Sequence, residues 1–66
     1  MSEVDDLKAE VKKLNQRATQ AKMDLHDLSE DLPKGWDQIL SVAQRAHDAF
    51  SQLELKRAEL QKAESA

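Results

Sequence analysis

Apolar residues recur every three or four positions through the first half of the chain: Val4, Leu7, Val11, Leu14, Ala18, Ala21, Leu25, Leu28 and Leu32. Alternating steps of three and four keep such a stripe on one side of a helix, as the a and d positions of successive heptads. Ser2 stands where an N-cap is needed, and Asp5 three residues on suits the capping geometry. The pattern predicts a helix over about residues 3–31. Pro33 pushes Leu32 out of the helical region, and Gly35 frees the backbone to turn, so residues 32–35 read as a turn. A second helix is expected over about 36–63, with a tail from Gln61 to Ala66 that frays. Its seam reads Trp36, Ile39, Ala43, Ala46, Phe50, Leu53, Arg57 and Leu60, widened at its flanks by Leu40, Val42 and Ala49.

Folding back at residues 33 and 34 opposes positions whose numbers sum to about 67. Leu28 then meets Ile39, Ala21 meets Ala46, Ala18 sits near Ala49 and Phe50, Leu14 meets Leu53, and Leu7 meets Leu60. Small residues face small ones at mid-helix, which lets the axes approach closely, and larger ones face each other towards the ends. Trp36 is expected to cap the core beside the turn, against Leu28, Leu32 and Leu40.

Length changes this picture. With 66 residues the chain is a single all-α domain, and a core of that size seldom suffices alone. Cysteine is absent, so disulfides and thiolate metal sites cannot brace it. A two-helix hairpin leaves one side of each stripe wet. A second hairpin related by a two-fold axis would complete a four-helix bundle. The dimer core expected from this is Leu14, Ala18, Ala21, Leu25, Leu28, Ile39, Ala43, Ala46, Phe50 and Leu53. The alternatives are a higher oligomer, or a hairpin that docks on a different partner.

Charge narrows the function classes. Lys and Arg number 10 against 13 Asp and Glu, a net charge of -3. The basic residues are scattered among acidic ones, whereas phosphate binding calls for a basic stripe. Nucleic acid is therefore a poor partner. No apolar run approaches a membrane span, and the acidic start lacks a secretory signal, so the cytoplasm is the expected location. No glycine-rich phosphate loop, nucleophile elbow or HExxH motif is present, and no enzyme is expected.

One segment breaks the monotony: Lys22-Met23-Asp24-Leu25-His26-Asp27-Leu28. Leu25 and Leu28 belong to the seam, so Met23, His26, Asp27 and Glu30 fall on the outward face. Met23, His26 and Asp27 are candidates for partner binding. His26 and Glu30, four residues apart, could place two ligands on one divalent transition metal, with Asp27 beside them. The plainer reading is an exposed histidine paired with Glu30. His47 lies next to the seam near mid-helix. In a two-fold dimer it could meet its own copy, bridging a metal or sensing pH, or simply sit at the interface rim.

The string from Lys22 to Leu28, followed by Leu32-Pro33, Trp36, Val42-Ala43-Gln44, Ala49-Phe50 and Leu53, resembles the Rop-like family of small proteins encoded in nitrogen-fixation gene clusters. The resemblance covers residues 4 to 60. It implies an antiparallel hairpin that dimerises into a Rop-like four-helix bundle. It also implies a supporting role in nitrogenase biology, with a nitrogenase-related protein as candidate partner. Members labelled metalloproteins direct attention to His26, with Asp27 or Glu30. His47 falls where relatives are expected to carry an aromatic, so no family role passes to it. Three functions follow as alternatives: an accessory adaptor or metal- or cofactor-handling protein of nitrogen fixation, a structural oligomerisation module, and Rop-like RNA binding.

Overall fold

The structure, a computed structural model, describes residues 2–65. Helix α1 (Glu3–Asp31) and helix α2 (Ile39–Ser65) form an antiparallel hairpin, joined by a turn and a short 3-10 segment, Trp36–Gln38. The result is a rod of 49 × 14 × 13 Å.

Local chemistry sets the ends of α1. The Ser2 hydroxyl accepts the Asp5 backbone N–H at 3.1 Å, satisfying an N–H that no earlier turn can reach. Glu3, Asp5 and Asp6 lie in the first turn, where the helix dipole favours negative charge. At the other end Leu32 leaves the helix with ψ 143°, as a residue before proline must.

Gly35 then adopts φ 78°, ψ 15°, the left-handed region that a side chain disfavours. Lys34 N–H donates to Asp31 C=O at 3.0 Å, and Gln38 N–H to Gly35 C=O at 2.9 Å. Trp36 N–H also donates to Pro33 C=O, at 3.2 Å, and these bonds close the reversal.

Between the helices the buried residues are Ala18, Val42, Ala46 and Leu53. On α1 the whole stripe from Val4 to Leu28 is half-buried or buried, as the heptads predict. The alanine waist is real: Ala18 is 0% exposed, so the α2 backbone comes close enough to cover a methyl group completely.

The seam of α2 differs from the expected one. Val42, Ala46, Ala49, Leu53, Lys56, Leu60 and Ala63 turn inward, again in steps of three and four. Val42 and Ala49 were expected at the flank, and Arg57 in the seam. Arg57 instead points outward, 61% exposed, beside Glu54 at 3.5 Å, and Lys56 takes the inner position. Ala43 is half-buried, while Phe50 is 39% exposed on the edge of the hairpin.

Trp36 also departs from expectation, being 68% exposed rather than a core cap. It belongs to a 3-10 turn with three residues per turn, which sets it off the inward row that begins at Val42, and Ile39, expected in the seam against Leu28, is likewise 37% exposed. The tail differs as well: α2 holds its helix to Ser65. Ala63 is half-buried in a shallow groove with Glu3 and Leu7, so the last turn has cover from α1. Met1 and Ala66 lie outside the described residues.

Candidate functional site

The outward face of α1 carries the segment singled out by sequence. Met23 is 53% exposed. One turn on, His26 directs Nε2 at Glu30 Oε1, 3.4 Å away, and Nδ1 towards Asp27 Oδ1 at 3.9 Å. The histidine and both carboxylates are largely in solvent. Ser29 fixes nothing on the ring, since its hydroxyl donates to the His26 backbone C=O at 2.9 Å.

Helical spacing thus brings His26, Asp27 and Glu30 together, with Met23 one turn before. As a metal centre the patch is thin. Among the described residues no group of three or more His, Asp or Glu is arranged to hold an ion. A chain by itself offers His26 and Glu30, and a closed site needs about four ligands.

His47 is elsewhere, on α2, beside Asp48 at 3.5 Å. Gln44 Nε2 donates to the same Asp48 carboxylate at 2.9 Å. His47 lines an open groove with Lys22, Leu25, Ala43, Ala46 and Phe50. It is therefore on a different surface from Glu30, and the two histidines do not form one site.

Two features escaped the sequence reading. One is the ion pair Lys56–Glu10 at 3.1 Å, which joins α2 to α1. Glu59 approaches the same ammonium at 3.2 Å. The hydrogen bonds that Lys56 donates to Glu10 and Glu59, and then the charges of those carboxylates, raise its pKa above the ordinary 10.5. The other is Leu55, 65% exposed in a groove on the opposite face, among Glu10, Lys13, Arg17 and Glu59. A frame three residues later in the α2 heptad, on Val42, Ala46, Ala49, Leu53 and Lys56, turns Lys56 towards α1, whereas Leu55 lies outside the seam in either frame.

No helix among the described residues is long and apolar enough to cross a membrane.

Relatives place this geometry. The Rop-like family model matches residues 2–65. A UPF0437 protein of Azorhizobium caulinodans is 51% identical over 65 residues, covering 98% of this chain and 94% of the relative. A UPF0437 protein of Frankia alni, named for its place in the nifX-nifW intergenic region, is 51% identical over 45 residues, covering 68% of this chain and 55% of its own length. A chain solved by NMR as a structural-genomics target superposes with a TM-score of 0.88 at 49% identity, covering 100% of this chain and 94% of that one. The match to the family model over residues 2–65 and the relative half identical over nearly the whole chain make this hairpin a member of the Rop-like family, with a relative encoded in a nitrogen-fixation gene region.

Proposed function

We propose that this protein is a non-enzymatic accessory factor of nitrogen fixation, acting as a dimeric helical adaptor. The observation that carries the pathway is the Frankia alni relative, named for the nifX-nifW intergenic region. The adaptor reading is supported by the shape of the molecule. It is a thin rod whose grooves, among the described residues, are open, and a small-molecule substrate calls for a concave pocket that surrounds it. What it displays instead is side chains suited to contact with protein: Met23, Trp36, Leu40, Phe50 and Leu55 are all exposed. Aromatic residues and methionine are enriched at protein interfaces.

The outer patch of Met23, His26 and Asp27 is the proposed contact for a nitrogenase-related protein. Metal handling is the second reading, favoured by the His26–Glu30 spacing of 3.4 Å. An ion held there would draw its remaining ligands from water or from a partner.

The test is genetic and biochemical together. A diazotroph lacking its own copy is complemented with the parent chain or with the Met23→Ala, His26→Ala double variant. Growth is compared on dinitrogen and on ammonium, and metal per purified chain is measured. The expected result is a defect on dinitrogen alone, rescued by the parent and not by the variant, with a nitrogen-fixation protein retained only by the parent. Equal growth of the deleted and complemented strains on dinitrogen would overturn the reading. Metal retained by the parent and lost on His26→Ala would favour metal handling over docking.

A further inference from the structure

The two long faces of the hairpin are unequal. On one, Leu40, Ala43, His47 and Phe50 follow one another on α2 at steps of three and four, with Trp36 four residues before Leu40. Leu25 of α1 lines the same groove as Ala43 and Phe50. Leu40 is 83% exposed and Trp36 68%. No formal charge stands in the α2 strip itself; Lys22 and Glu54, of opposite sign, border the groove, and farther from the turn the same face carries Lys8, Lys12 and Arg57. The other face has one exposed large apolar residue, Leu55, ringed by Glu10, Lys13, Arg17, Lys56 and Glu59.

Desolvation decides between these faces as a site of self-association. Covering the Leu55 face with a copy of itself would take those five charges per chain out of water, opposite like sets of charges, and such burial is costly without well-matched partners. On the Leu40 face the strip from Trp36 to Phe50 gives up mostly carbon, at about 25 cal/mol per Å², and the charges lie at its border and beyond it, where long side chains can hold them at the rim. Area agrees when the full side of the rod is counted, since 49 Å by 14 Å is on the scale of the roughly 800 Å² per partner that a stable pair buries, with the apolar strip as its turn-proximal part. Need agrees too, since among the described residues the isolated hairpin buries only Ala18, Val42, Ala46 and Leu53.

We propose that the face carrying Leu25, Trp36, Leu40, Ala43 and Phe50 is closed by the same face of a second copy of this chain, and that the Leu55 face stays in solvent. The inference rests on the dimeric reading above and adds to it which surface is used. A two-fold axis makes such a contact isologous, so each copy gives and receives the same side chains.

The natural absence of cysteine permits a direct test. Leu40→Cys and Leu55→Cys chains are labelled with a maleimide at high and low protein concentration, and each is sedimented. At high concentration Leu40→Cys should react at least about tenfold more slowly than Leu55→Cys, and the two rates should converge on dilution to single chains. The lone Trp36 of the parent should shift its emission to the blue as concentration rises over the same range. Equal labelling of both cysteines in chains that sediment as dimers would overturn the choice of face and leave the dimer standing. Protection of Leu55→Cys would move the interface to the opposite side. A parent chain that sediments as a folded monomer at every concentration would overturn the dimer itself. A Leu40→Cys chain that is monomeric while the parent is dimeric supports the proposal, because Leu40 is solvent-exposed in a single hairpin.

Discussion

Lys56 Nζ lies 3.1 Å from Glu10 Oε2, an ion pair across the hairpin at a heptad position where an apolar residue would ordinarily sit. The stem of Lys56 covers the seam while its ammonium reaches the rim, a common arrangement for long basic side chains. Its pKa is raised by Glu10 and Glu59, so the charged form is favoured by folding. The stability this contributes is fully present below the ordinary lysine value of 10.5 and is lost as pH rises through the raised value. Thermal melts of the parent and of Lys56→Met should therefore converge or cross above pH 10.5, with the parent losing more over that range. A parent melting point that holds level while Lys56→Met falls would contradict the pairing.

The alanine waist sets a second expectation. Ala46 and Ala18, 7% and 0% exposed, are the small buried residues of the two helices, so a larger side chain at position 46 must part the axes or be forced out into the groove beside it. Ala46→Leu should cost on the order of 1–3 kcal/mol by overpacking, measured by urea denaturation. A gain in stability would mean that the helices do not approach closely there.

Leu53 and Arg57 test the register of α2. Leu53 is 3% exposed, and truncating a buried leucine to alanine costs about 2–5 kcal/mol. Arg57, outward beside Glu54, should tolerate Arg57→Ala within about 0.5 kcal/mol. The reverse order in chemical denaturation would restore Arg57 to the seam.

The turn depends on Gly35. Its φ of 78° costs an ordinary L-residue about 1–2 kcal/mol. A methyl group there would also come within 3.1 Å of Leu28 Cδ1, an atom at the free end of a side chain that can yield. Gly35→Ala should lower stability by about that backbone cost, with helix content by circular dichroism unchanged at low temperature. A Gly35→Ala chain as stable as the parent would show that the left-handed turn is not required.

Much of this fold was legible in the sequence, because two constraints acted together. The α1 stripe from Val4 to Leu28 offers one heptad frame, and Pro33 with Gly35 allows one place to reverse. On α2 the apolar set is wider than one seam. Trp36, Leu40, Ala43 and Phe50 compete with Val42 and Ala49 for the inward direction, and periodicity alone could not rank them. The packing does so through the alanine at position 46, shared by both frames, and through the 3-10 turn that offsets Trp36. The site was legible to the same degree. Spacing placed His26 against Glu30 on the outer face, but the Lys56–Glu10 contact required the partner helix to be in view.

The reversal at Gly35 has a kinetic corollary. Contacts beside the turn, such as Leu28 with the Gly35 backbone, close loops of a few residues, whereas Glu10 and Lys56 are separated by most of the chain. Loop-closure entropy grows with that separation, and non-local contacts form late. The hairpin should zip outward from its bend, with amide protons near the waist exchanging more slowly than those at the two chain ends, and the ends the first region to open again.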